Sequence, residues 1–315
     1  MLCHCRALTC VKYLSQFLLA SAKTPQQVTQ RFPCLYPCKI AAFRYSGRPT
    51  GGMQMQQTIE TLKGRPFFVR RWGSRDLPPL LMLHGFPEYG GAWQELAHHL
   101  SQRFHCIAPD QRGFGQSWTP EGVEHYTAAE LVGDMAALIG AQGCPVTVLG
   151  HDWGAAIAYG LAMFHPDLVD RLIVANGVHP VPFQRALAQG GAQTQASQYI
   201  HRLRAPNAAQ ELSANDFHKL QTLFATHMDM SWLSGSRRDD YLAEWSRPGR
   251  LQAMLNWYRA SPLQVARPGQ PIAMPALPVE RLKVPQPHLL IWGDGDRALL
   301  PETTLGLEEF APNLT

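Results

Sequence analysis

The chain has 315 residues, 17% charged and 45% apolar, with 26 glycines and 25 prolines, a composition that excludes disorder, which needs low hydrophobicity and high net charge. It is long enough for one large domain or two modest ones, and it holds no run of about 18 apolar residues, so no transmembrane segment is expected. The net charge of +4 is uneven: residues 1–52 hold seven Lys/Arg and no acid, leaving 21 of the 28 basic residues against all 24 acidic ones, a balance that argues against a nucleic-acid partner.

Residues 1–53 read as an unstructured leader or extension, with Met53 or Met55 a natural start for the folded part. An acid-free basic start also fits a mitochondrial transit peptide. A zinc site from Cys3, Cys5, Cys34 and Cys38 is a third reading, although the spacing fits no common module. Five of the seven cysteines lie before residue 40, and only Cys106 and Cys144 follow. A secreted disulfide framework would spread its cysteines through the fold, so the main body reads as cytoplasmic, with a mitochondrial location as the alternative.

Beyond residue 54 the pattern is regular. Thr58–Leu62 and Pro66–Trp72 flank Lys63-Gly64 and predict a hairpin. Short apolar runs at Leu80–Leu83, His105–Pro109, Val146–Leu149 and Leu172–Ala175 predict buried strands. Trp93–Leu100, Ala128–Ile139 and Ala155–Phe164 between them predict helices. Strands alternating with helices imply an α/β fold, a mostly parallel sheet with helices on both faces. Residues 181–261 break this rhythm with helical segments at Ala192–Leu203, Ala214–Thr226, Asp240–Trp245 and Leu251–Tyr258. Seven prolines across 262–287 make a linker back to the core, where His288–Trp292 is a further strand and Thr303–Glu309 begins a helix. The expected division is a first core part at 54–180, a helical insertion at 181–261 and a second core part at 262–315.

The chemistry centres on Gly150-His151-Asp152-Trp153-Gly154, between a strand and a helix. Small residues on either side of a central side chain allow a sharp turn that lifts that side chain above the sheet, the nucleophile elbow. The raised residue is Asp152, not Ser. A carboxylate is a poor agent of acyl transfer, but it can attack an sp³ carbon and form an alkyl-enzyme ester. The competing reading is that Asp152 caps the next helix. His84-Gly85-Phe86-Pro87-Glu88 follows the strand at 80–83 and reads as an oxyanion turn, with the Phe86 and Trp153 amides as donors. Asp110–Ser117 forms a tight turn framing the cleft and contains no dinucleotide fingerprint.

These pieces in order, with His165-Pro166 and Arg171-Leu172, resemble the α/β-hydrolase superfamily over residues 56–310. Within it they resemble the epoxide hydrolases and the related haloalkane and fluoroacetate dehalogenases. The resemblance implies that the insertion is a lid carrying two tyrosines that bind the epoxide oxygen and protonate the leaving alkoxide. Asn256-Trp257-Tyr258-Arg259 matches one, Tyr258, and Tyr199, seven residues before Pro206, matches the other. It also implies an orienting acid after the last strand, matched by Asp296, with Asp294 as its neighbour, and a general-base histidine some 25–30 residues later. No histidine follows His288. The expectation is therefore a core lacking its last strand and helix, either a truncated product or a pseudoenzyme, with doubtful turnover. His84, Pro87 and His151 are expected to shape the substrate site. A small hydrophobic epoxide is the implied substrate, with no metal or cofactor. A haloalkane or haloacetate dehalogenase and a non-catalytic ligand-binding protein are the alternatives. An esterase is least favoured because no Ser occupies the elbow. Oligomeric state and stereochemistry are not legible.

Overall fold

Alternation of apolar side chains along short runs decides the sheet in the computed structural model, which describes residues 55–315. The expectations for residues 1–53 lie outside the described residues. Seven strands form one sheet: β1 (Gln56–Leu62), β2 (Arg65–Trp72), β3 (Pro79–Leu83), β4 (His105–Pro109), β5 (Val146–His151), β6 (Val169–Ala175) and β7 (His288–Ile291). Their spatial order is β1-β2-β4-β3-β5-β6-β7. β1 and β2 form an antiparallel hairpin, and β2 pairs antiparallel with β4. The remaining pairs are parallel. Lys63 and Gly64 turn the hairpin at φ 50° and 76°, the backbone hand that a two-residue hairpin turn requires.

Both faces of the parallel strands are covered, as continuous apolar runs demand. Leu80 and Met82 point to one face, where α1 (Gln94–Leu100) packs with Trp93, Ala97 and Leu100. Leu81 and Leu83 point to the other, against α2 (Ala128–Gly140) and α3 (Trp153–Phe164). The predicted strands and these three helices match the structure to within a few residues.

The stretch between β6 and β7 is helical, as expected, but its elements divide differently. The helices are α4 (Pro180–Ala188), α5 (Ala192–Ala196), α6 (Tyr199–Arg204), α7 (Ala208–Ala225), α8 (Gly235–Trp245) and α9 (Arg250–Ala260). The expected single helix at 192–203 is two, because Ser197 closes the first turn before Tyr199 begins the second. α4 was not expected: its Pro180 sits at the first helical position, where a missing N–H costs nothing. α7 starts six residues earlier than expected and is kinked, with Ala214–Phe217 outside helical backbone angles.

The helix expected at 303–309 does not form. Two 3₁₀ turns, Pro301–Thr304 and Leu307–Glu309, stand there, separated by Gly306 at φ 81°. A left-handed residue interrupts the helical ladder. Leu314 then pairs with His288, alongside β7. Among the described residues no helix is long and apolar enough to cross a membrane.

Candidate active site

β5 delivers Asp152 to the top of the sheet. Asp152 has φ 51° and ψ −121°, a conformation that costs a non-glycine residue energy and persists only where its surroundings enforce it. The enforcement is visible next door. A Cβ on Gly85 would lie 2.5 Å from the Asp152 Cβ, and one on Gly154 would strike the Leu83 carbonyl. The elbow and the β3 turn therefore touch through glycine.

The Phe86 N–H donates to Asp152 Oδ1 at 2.8 Å. The Trp153 N–H is the second backbone donor to this carboxylate. Burial holds the carboxyl above its usual range, while His151 and the two amides pull it down. Around it stand Phe86, Trp153 and Tyr258. The Tyr258 ring meets the Phe86 ring and the Trp153 ring edge-on, each at a centroid distance of 5.1 Å.

Two helices of the insertion bring the tyrosines together. Tyr199 opens α6 and Tyr258 sits near the end of α9, with ring centroids 6.4 Å apart. Two arginines cross-brace these helices. The Arg204 guanidinium donates to the carbonyls of Tyr258, Ser261 and Leu263 at 2.8–3.0 Å. Arg259 returns a bond to the Ala205 carbonyl at 2.7 Å. Trp257 Nε1–H donates to the Arg112 carbonyl at 3.0 Å, tying α9 to the turn after β4. Burial raises both phenols above their ordinary value, and the charge of Asp152 adds to that rise. Both therefore keep their protons at neutral pH.

Asp296 lies on the loop after β7 and is saturated with donors. Its Oδ1 accepts from the Ala298 and Leu299 amides at 2.8 and 2.9 Å, and its Oδ2 from Asn176 Nδ2 at 2.7 Å. Asp294 is exposed. Sequence reasoning missed Asn176. It follows β6 directly at φ 42°, and its carbonyl accepts from the Asp152 N–H at 3.3 Å. An Asn-Gly pair directly after an apolar strand was the available signal. His227 was also missed. Its ring centroid is 5.2 Å from that of Tyr199, and its carbonyl accepts from the Arg297 N–H at 3.4 Å.

The three residues expected to shape the substrate site divide. Pro87 and His151 line a narrow cavity beside the elbow, with Phe224, Met228 and Trp232 from the insertion. His84 is wholly buried, which corrects its expected place. Its Nδ1 bonds the Gly85 carbonyl at 3.0 Å and its Nε2 accepts from the Gln111 N–H at 3.1 Å. Burial lowers its proton affinity. It locks the two turns that frame the cleft and has no nitrogen to offer a ligand. Among the described residues no group of three His, Cys, Asp or Glu could hold a metal ion.

Residues 78–315 match the family described as the alpha/beta hydrolase fold. The AB hydrolase superfamily protein YfhM of Bacillus subtilis is 32% identical over 79% of this chain and 85% of its own. Epoxide hydrolase 4 of Homo sapiens is 28% identical over 93% of this chain and 78% of its own. A solved structure from work on novel epoxide hydrolases in metagenomes from hot environments superposes with a TM-score of 0.75 at 36% identity, covering 84% of this chain and 89% of that one.

Proposed function

Because the chain belongs to the α/β-hydrolase fold family, as a hydrolase of the epoxide hydrolase type, we propose that it opens a small hydrophobic epoxide by attack of Asp152. The observation that carries this reading is a carboxylate on the elbow, held by two backbone amides, with two protonated phenols from the insertion nearby.

The chemistry follows from these groups. The Phe86 and Trp153 amides hold the carboxylate, leaving an oxygen to attack a ring carbon of the epoxide. The C–O bond breaks, and Tyr199 and Tyr258 bind the departing oxygen. One of them gives it a proton, which a phenol raised by burial does once a much more basic alkoxide forms. The product is an alkyl ester on Asp152. Hydrolysis of that ester places negative charge on its carbonyl oxygen, where the same two amides wait. Asp296 is the orienting acid for the base of that second step. In a purified polypeptide of these 315 residues, which has no histidine after His288, the ester is expected to last long enough to weigh. The insertion acts as a lid.

A panel of aryl and alkyl epoxides beside chlorinated alkanes and chloroacetate tests the reading. Epoxide consumption that drops in Tyr258→Phe supports it. Halide release unaffected by Tyr258→Phe moves the assignment to a dehalogenase on the same carboxylate. Saturable epoxide or diol binding with no covalent change moves it to a binding protein.

A further inference from the structure

The two amides that hold Asp152 are supported in different ways. The Trp153 N–H belongs to the first turn of α3, a helix of the core. The Phe86 N–H lies in a turn gripped from the insertion. α8 carries Tyr241 and Trp245 four residues apart, and hence on one face. Trp245 Nε1–H donates to the Pro87 carbonyl at 2.7 Å in a buried bond. The Tyr241 hydroxyl faces the Glu88 carboxylate. Glu88 is itself buried and completes the grip: its Oε2 accepts from the Gly85 N–H at 3.2 Å and from His151 Nδ1 at 3.0 Å. The Glu88 N–H closes the turn on the Gly85 carbonyl at 2.9 Å. Phe86 is thus bracketed on both sides by groups that α8 or Glu88 holds.

We infer that α8 aims the Phe86 amide at Asp152, with Trp245, Tyr241 and Glu88 as positioning residues. The oxyanion donor set is complete only when this helix is seated on the turn after β3. The inference rests on the reading of Asp152 as the ester-forming carboxylate. Its kinetic consequence is uneven. Ring opening removes charge from the carboxylate. Ester cleavage creates charge on the oxygen that the Phe86 amide serves, so cleavage depends more on its aim.

Hydroxylamine isolates that step without a protein base. Its nitrogen attacks the ester carbonyl and the bond to the alkyl oxygen breaks. That oxygen leaves as the diol with a proton from hydroxylamine, and Asp152 becomes a hydroxamate. Tyr241→Phe removes one donor and keeps the ring, whereas Trp245→Phe removes the indole N–H and leaves a smaller aromatic ring. The first experiment compares amide hydrogen exchange at Phe86 and Trp153 in the 315-residue chain and both variants. The second follows hydroxylamine cleavage of the ester by mass.

Trp245→Phe is expected to speed Phe86 exchange about tenfold while Trp153 stays at its wild-type rate, and to slow cleavage about tenfold, a fraction of what losing a whole oxyanion donor costs. Tyr241→Phe should shift the same readouts in the same direction by less, and it decides the matter if Trp245→Phe does not fold. Unchanged Phe86 exchange and unchanged cleavage in folded variants overturn the inference. So does equal acceleration at Phe86 and Trp153, which means general loosening. If the wild-type chain forms no ester, the role of Asp152 fails, and the exchange measurement still decides the role of α8.

Discussion

The side-chain amide of Asn176 donates to Asp296 at 2.7 Å while the Asn176 carbonyl accepts from the Asp152 N–H at 3.3 Å. One buried residue directly after β6 therefore spans the elbow and the loop after β7. Its Oδ1 also accepts from the Gly293 N–H at 3.0 Å, so each polar end of this side chain has a backbone or carboxylate partner.

Replacing Asn176 with Ala leaves two half-buried partners, Asp296 and the Gly293 N–H, without their bonds. Each unsatisfied group costs about 1–3 kcal/mol. We expect the urea midpoint of Asn176→Ala to fall accordingly, with slower ester formation because the backbone that carries the Asn176 carbonyl loses its side-chain tie to the loop after β7. An unchanged midpoint would show that water replaces the amide without loss.

Tyr258→Phe and Tyr199→Phe remove one proton donor each and keep the ring packing at 5.1 and 6.4 Å. General acid catalysis contributes roughly 10²–10⁴-fold. The expected result is a loss in that range for the phenol that gives the proton and a smaller loss for the one that only binds the oxygen. Single-turnover ester formation with each variant measures it. Equal rates in wild type and the double variant would remove both phenols from the mechanism.

Arg204 holds three carbonyls in and just after the last turn of α9 with one planar side chain. Lys cannot reproduce that fork. Arg204→Lys should therefore lower thermal stability and slow ring opening through a displaced Tyr258, while Arg202→Lys on the same helix, which makes no such brace, should do neither. Matching melting curves for Arg204→Lys and wild type would show that α6 and α9 need no brace.

Stability should decline with acid on account of two core histidines. Burial depresses His179 to about 4 and His288 to about 3, against 6.5 for an ordinary histidine. The unfolded chain binds these two protons below 6.5 and the folded chain does not. Their contribution is complete above 6.5 and is lost progressively as pH falls from there toward 4 and 3. His288 Nε2 contacts the Tyr159 hydroxyl at 3.3 Å, so His288→Gln keeps a polar side chain at that position without a proton to gain. Urea midpoints at pH 7.5 and 5.0 should differ less in His288→Gln than in wild type. Equal pH dependence would assign the decline to other groups.

Most of the sheet was readable because buried parallel strands leave short apolar runs with no other explanation. The elbow and the turn after β3 were readable because glycine at 85, 150 and 154 reports close backbone approach, which the contact between Gly85 and Asp152 makes concrete. The insertion was legible only as helical. Its boundaries depend on caps and kinks such as those at Ser197 and Ala214–Phe217, and tertiary contacts override local propensity there. Glycine at 306 was passed over, and a helix was expected where 3₁₀ turns stand. His84 was misplaced because a histidine in a motif looks like a ligand, whereas its partners, Gly85 and Gln111, are set by folding. For Asn176 the one local signal was the Asn-Gly pair after β6, and His227 acts through residues distant in sequence, so no spacing rule points to it.

The most direct measurement is the intact mass of the 315-residue chain after incubation with an excess of an aryl epoxide, beside Asp152→Asn. The account predicts one added epoxide mass in the wild type, mapping to the peptide that contains Asp152, and none in the variant. A folded wild-type chain that gains no mass and releases no diol, or an adduct that persists in Asp152→Asn, would contradict it.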